Sequence, residues 1–239
     1  MTRDRFFGSL LFLLTFVVYL ETLCQTVYAE GSGELISAIH LLGIAHPTGY
    51  PLLCLIGRLI DTIVPLGSVA FRVNLTSALV GAATITVLYG VLRKLLISQR
   101  AAMGSALMFA FSSTFWAQAV IAEVYTLNIF FNVLLLLELL HWNESRERRH
   151  LMLFAYTYGL ACTNHMTILL MIPAVLLYVL RVLGRDRRRF LYDLPGMIVF
   201  FLLGFTPYLY LPLRASVDPA FQWVPLRTAG DLIDHITGQ

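Results

Sequence analysis

Two carboxylates come first among the residues able to do chemistry. Glu30 and Glu34 stand four positions apart and share a face if the segment is helical. Gly31 and Gly33 favour a loop there, which lets backbone come close to a ligand. A carboxylate of this kind can deprotonate an acceptor hydroxyl or bind a metal. The same stretch also suits a solvated loop in which Ser32 caps a helix. Downstream, His46-Pro47-Thr48-Gly49-Tyr50-Pro51 reads as a rigid turn, because two prolines and a glycine restrict its backbone. It presents His46 and Tyr50 to a ligand, or uses Tyr50 as an interfacial anchor. Arg72 and Arg214 carry planar forks that match a phosphate, and they suit snorkelling to headgroups equally well. Asn74, Glu123, Tyr125, Asn164 and His165 lie at the ends of apolar runs. There they can line a site, or cap helices and bond across a bundle.

The elements that must position these residues follow from composition. The chain has 239 residues and a formal net charge of +3; 58% of it is hydrophobic and 13% charged. Mean hydropathy is +0.76. Soluble domains carry about 25% charged residues. So apolar a chain is neither disordered nor a nucleic-acid-binding domain with a basic face, and it does not fit an ordinary soluble enzyme. The class expected is an all-α, polytopic transmembrane bundle.

Apolar runs long enough to cross the bilayer are Phe6–Cys24, Asn74–Leu92, Ala101–Ala119, Thr126–Trp142 and Pro195–Leu213. Leu151–Val182 is too long for one untilted span, and it carries Asn164-His165 near its middle. A lone polar pair at mid-membrane is costly, so two short helices should meet there. All but four of the 17 Lys and Arg (Arg58, Arg72, Arg214 and Arg227) then fall at the amino end or in alternate loops, which should be cytoplasmic. Between the first two spans, Leu35–Ile44 and Leu52–Val64 are short for spans. They read as two helices on or dipping into the membrane surface, within a long first external loop. The count is seven spans, with a cytoplasmic N-terminus and an external C-terminus. The polar residues above then gather on the external side.

Other features carry less. Val27-Tyr28-Ala29 resembles a signal-peptide cleavage site, but the preceding apolar run is long for that purpose. The sequons Asn74-Leu75-Thr76 and Asn143-Glu144-Ser145 fall at a span start and on the cytoplasmic side, and are read as coincidental. Cys24, Cys54 and Cys162 have no metal spacing, and no ligand cluster demands a metal. Glu21 and Glu138 are read as packed against neighbours or snorkelling. No internal repeat is found. The sequence divides into a transmembrane module, residues 1–214, and an external segment, residues 215–239. That segment has a helix-like stretch Thr228–Ile236 and reads as the start of a truncated C-terminal region.

Thr26-Val27-Tyr28-Ala29, Ser32-Gly33-Glu34-Leu35 and the run from Leu42 through Ala45-His46-Pro47-Thr48-Gly49-Tyr50-Pro51-Leu52 resemble a family of multi-pass membrane proteins. The family includes a eukaryotic protein O-mannosyltransferase of the endoplasmic reticulum. The resemblance continues through Arg72-Val73-Asn74-Leu75, Trp116, Ala122-Glu123-Val124-Tyr125, Gly159-Leu160 and Asn164-His165 to Trp223 and Ile236-Thr237-Gly238. It implies a C-type glycosyltransferase fold. Such enzymes use a polyisoprenyl-phosphate sugar as donor on the external or luminal face, with an acidic residue just after the first span. The family pattern usually reads Asp-Ser-Gly-Glu, where this chain has Gly31-Ser32-Gly33-Glu34. Three readings stay open: Glu30 takes over, Glu34 is the functional carboxylate, or the protein is weakened or inactive.

The expectation is an inverting glycosyltransferase moving a sugar, mannose by the resemblance, from a polyisoprenyl-phosphate donor to a protein or glycan acceptor. It sits in a bacterial inner membrane, or in the ER membrane if eukaryotic. Glu34 or Glu30 is the base. Arg72, Arg214 or His165 steadies the leaving phosphate, and His46, Tyr50, Asn74, Glu123, Tyr125 and Asn164 line the site. No cofactor is expected beyond the lipid-linked donor, and a divalent metal is left open. A lipid or solute transporter or flippase, and a non-catalytic membrane scaffold, are the competing classes.

Overall fold

The computed structural model describes residues 2–29, 31–184 and 188–238. Helices are the regular elements of the described residues, and their one β-type contact is an isolated parallel bridge between Ile44 and Gln222. The helices are α1 (Thr2–Glu21), α2 (Ser32–Leu41), α3 (Pro51–Ile63), α4 (Val69–Lys94), α5 (Gln99–Ala110), α6 (Ser113–Ala119), α7 (Tyr125–Ser145), α8 (Arg148–Cys162), α9 (Ile172–Leu183), α10 (Arg188–Phe205), α11 (Tyr210–Ala215) and α12 (Ala229–Thr237). Short 3-10 turns at Met166–Met171 and Thr206–Leu209 lead into α9 and α11.

Among the described residues, four segments are long and apolar enough to cross a membrane: Val69–Lys94, Tyr125–Ser145, Met166–Leu183 and Phe190–Ala215. Their exposed leucines, among them Leu170, Leu177, Leu202 and Leu213, suit a lipid surround better than water. The two short helices expected between the first spans are present as α2 and α3. On α3, Leu55, Leu59 and Ile63 recur every four residues and are exposed, while Leu53, Cys54, Gly57 and Asp61 face inward. An apolar outer stripe of this kind suits a helix lying at the membrane surface. The interruption at Asn164-His165 is present too: α8 stops at Cys162, and His165 caps the following 3-10 turn by accepting the Thr167 N–H.

Two expectations are corrected. Ala101–Ala119 is not one helix. It breaks at Phe111-Ser112 into α5 and α6, where the Ser112 hydroxyl donates to the Phe109 carbonyl at 2.8 Å and competes with the helix ladder. The last apolar stretch starts earlier than Pro195, which lies inside α10, and it is interrupted by the turn at Thr206–Leu209.

Helix α4 packs against both α1 and α7 and separates two apolar clusters. One joins α1 to α5 and α6, with Ala102, Ala106 and Ala110 forming a fully buried stripe that lets the helix backbones approach. The other gathers α2, α3, α7, α8 and residues 208–211. Helices α8 and α10 touch backbone to backbone: a Cβ on Gly159 would lie 2.2 Å from the Phe201 carbonyl oxygen, and one on Gly204 only 2.0 Å from that of Tyr156. Lipid is as apolar as these side chains, so close packing rather than water exclusion holds such a crossing. Glu138 is buried on α7 and accepts the Thr157 hydroxyl of α8 at 2.9 Å, a bond across the bundle.

Candidate functional site

The site forms where α2 meets the Pro-rich turn. Gly31, at φ 92°, precedes α2 and gives the helix no side-chain cap, so Glu34 sits in the first helical turn near its positive end. α2 ends at Leu41 with Leu42 as its C-cap, and the chain doubles back through the Gly43–Tyr50 turn. Tyr50 adopts the left-handed conformation at φ 44°, a backbone state costing roughly 1–2 kcal/mol, and Pro51 then starts α3. This return brings His46 onto Glu34. Glu34 Oε1 accepts the His46 backbone N–H at 2.8 Å, and Oε2 meets Nδ1 at 2.5 Å. The Tyr50 hydroxyl lies 2.8 Å from His46 Nε2 and 3.1 Å from the Pro47 carbonyl. Nδ1 faces the carboxylate, and Nε2 faces the Tyr50 hydroxyl, which donates its proton to the Pro47 carbonyl. The result is a continuous carboxylate–imidazole–phenol chain.

Its surroundings differ along its length. Glu34 is largely covered, with 13% of its side chain exposed, whereas His46 keeps 37%. Burial pushes the Tyr50 hydroxyl well above the ordinary phenol range, and the negative charge of Glu34 adds to that. Tyr50 therefore stays protonated and acts as a hydrogen-bond donor. Its ring stacks on His165 at 5.9 Å, and Tyr125 from the start of α7 lies tilted against His165 at the same separation. Burial, with the nearby His46, lowers the pKa of His165. Glu123 is close enough to Tyr50 to contribute to its raised pKa.

The other expected site residues are placed as follows. Arg72 donates through Nε to Asp61 Oδ1 at 2.8 Å and to the Asp61 carbonyl at 3.0 Å. Asp61 also takes Arg58 at 2.8 Å and His40 at 2.7 Å, so Arg72 belongs to an ion cluster that ties α3 to α4. Asn74 donates to the carbonyls of Cys24 and Thr26, anchoring the chain after α1, and Asn164 donates to the Val124 carbonyl at 3.2 Å. Arg214 donates to the Leu42 carbonyl at 2.6 Å, beside the turn. Glu30 lies outside the described residues, as do Arg185 and Arg187 of the basic loop. Among the described residues, no group of His, Cys, Asp and Glu could hold a metal ion.

Sequence reasoning missed the contribution of the last segment. Ile44 exchanges backbone bonds with it: Ile44 donates to Phe221 at 3.0 Å and Trp223 donates to Ile44 at 2.9 Å. The Tyr210 hydroxyl donates to Gly43 at 2.7 Å. Gly43 must be glycine here, since a Cβ would sit 2.3 Å from the Phe221 carbonyl oxygen. The Trp223 ring meets His46 edge-on at 5.8 Å. His235 of α12 is 2% exposed and lies against Gly49, where a Cβ would come 3.3 Å from its Nε2. The capping box of Thr228 and Asp231 was the signal for α12, and a buried face including His235 follows from its helical spacing.

A bundle with long apolar helices and a carboxylate–imidazole–phenol chain between α2 and α3 defines a helical membrane protein with a candidate acid-base site. The chain belongs to the family of the protein O-mannosyl-transferase TMEM260 N-terminal domain, whose family model matches residues 31–187. It is similar to the protein O-mannosyl-transferase TMEM260 of Mus musculus, 34% identical over 223 residues, covering 91% of this chain and 32% of that protein. It is also similar to the protein of that name in Dictyostelium discoideum, 26% identical over 242 residues, covering 95% of this chain and 30% of that protein. The chain thus spans about a third of the length of these relatives. No solved structure matches it.

Proposed function

We propose that the chain is the membrane module of a glycosyltransferase that moves a sugar, mannose by analogy with the relatives' name, from a polyisoprenyl-phosphate donor to a hydroxyl acceptor. The observation that carries the reading is the double hold of Glu34 on His46, next to a phenol kept protonated. A carboxylate that orients an imidazole raises its basicity and fixes its tautomer, which suits general-base catalysis. The acceptor hydroxyl gives its proton to the Glu34–His46 pair. Its oxygen bonds to the anomeric carbon as the bond from that carbon to the donor phosphate oxygen breaks, and the electron pair leaves with polyisoprenyl phosphate. A single displacement of this kind inverts the anomeric centre. Arg214 and His165 are the groups beside the turn that we assign to the leaving phosphate, an electrostatic task. Arg72 is engaged with Asp61, which supports a framework role for it.

In this reading the bundle crosses the membrane seven times with the amino end in the cytoplasm, and the site faces the external or luminal side. The distribution of Lys and Arg supports it. The test is transfer of radiolabelled sugar from polyprenyl-phosphate donors in proteoliposomes. Transfer by the wild type that Glu34→Gln abolishes is expected; undiminished transfer by Glu34→Gln overturns the assignment.

A further inference from the structure

At the end of α4 away from Glu34, a cavity of about 650 Å³ opens between α1, α4 and α7. With 26 residues, α4 is about 39 Å long, and the ordering of its residues from Asn74 to Arg93 separates this cavity from the acid-base site. Gly8, Thr86, Gly90 and Leu137 line it together with charged side chains, and the exposed Arg5 marks its mouth. Gly8 is held at the α1–α4 contact, where the Thr86 hydroxyl donates to its carbonyl at 3.2 Å, while a Cβ on Gly90 would sit 3.8 Å from Leu137, in ordinary contact, so a larger side chain at Gly90 would fill the space beside Leu137.

The charges at the mouth are ordered. Asp4 accepts Arg93 Nε at 2.8 Å and the Tyr89 hydroxyl at 2.9 Å, and Glu144 pairs with Lys94. Both carboxylates are therefore already matched by cations of the protein. Arg5 is exposed at the rim and enters none of the ion pairs among the described residues. The mouth has a surplus of positive charge and no carboxylate left for a ligand's ammonium or choline. An apolar groove leading away from such a mouth matches one headgroup phosphate with an acyl chain attached.

We propose that this cavity is a binding site for an anionic glycerophospholipid, its phosphate held by Arg5 at the mouth beside Lys94 and its acyl chain lying along Gly90 and Leu137. The site is independent of the acid-base chain and of any transfer reaction. It differs from the general lipid surround in having a preformed cavity and a preference of charge.

Native mass spectrometry of the purified full chain in detergent tests it, with phosphatidylglycerol, phosphatidylcholine or inorganic phosphate added. Expected is a single retained phosphatidylglycerol, at least tenfold preferred over phosphatidylcholine and not displaced by millimolar phosphate. Arg5→Gln, an exposed change that leaves the fold intact, should lower retention about tenfold, and Gly90→Leu, which fills the groove, should abolish it. Equal retention of the two lipids, or unchanged retention in Arg5→Gln, overturns the proposal. Displacement by inorganic phosphate also overturns it, since the site would then be for the free anion. If Gly90→Leu fails to fold, Arg5→Gln and the lipid comparison still decide.

Discussion

Glu34 holds His46 at two points, with Oε1 on the backbone N–H and Oε2 on Nδ1. An amide at position 34 can accept only one of these bonds, so Glu34→Gln should release the ring and lower transfer by about 10²–10⁴-fold, the usual share of a general base. His46→Gln should do the same. If the two act as one unit, the double variant should be no slower than the worse single one. Steady-state transfer rates for the three variants check this; a multiplicative loss would separate the two residues.

Asp61 is 5% exposed and gathers Arg72, Arg58 and His40. Burial alone would raise its pKa, but the hydrogen bonds from His40 and Arg72 outweigh it and hold the carboxyl below its ordinary 3.8. Its contribution is thus present above pH 3.8 and lost as the pH falls further, through the folded value. Asp61→Asn should cost about 1–3 kcal/mol, less than for a fully buried pair because its partners are partly exposed. Thermal unfolding in detergent, followed by circular dichroism, measures it.

His235 docks α12 against the turn with both ring nitrogens buried and without well-formed hydrogen bonds. Burial lowers its pKa from 6.5; the Ala45 carbonyl beside the ring opposes this, the nearby His46 adds to it, and Glu34 opposes it. The ring is neutral when docked. The unfolded chain binds a proton more readily, so docking is fully stable above pH 6.5 and weakens as the pH falls below it. Hydrogen-exchange protection in residues 229–237, taken relative to the intrinsic amide rate at each pH, should therefore be lower at pH 5.5 than at pH 7.5. His235→Phe should flatten that difference, and an unchanged difference would place the effect elsewhere.

The α8–α10 crossing has no room for a methyl group at Gly159 or Gly204. Each glycine-to-alanine change meets backbone rather than a movable side-chain tip, so the helices must part. A loss of about 1–3 kcal/mol is expected for either one, with less than the sum for both, since one displacement relieves both clashes. Thermal midpoints of the single and double variants give the comparison.

What was legible in the sequence was local. Apolar runs that cannot stay in water made this a helical membrane protein, and the cost of a polar pair within such a run marked the break at Asn164-His165. The Pro-Gly-Pro pattern marked the turn that carries His46 and Tyr50. Each of these follows from the solvation or dihedral freedom of a few neighbouring residues. Apolar content did not reveal the break at Phe111-Ser112, because a hydroxyl competing for a helix carbonyl leaves hydropathy almost unchanged. Tertiary structure alone decided which polar groups meet. It put Glu34 on His46, engaged Arg72 with Asp61, and carried His235 from the far end of the chain to Gly49. Charge and hydrogen-bond pairing act over a few ångströms in space, and the packing of whole helices sets those distances, whatever the separation along the chain.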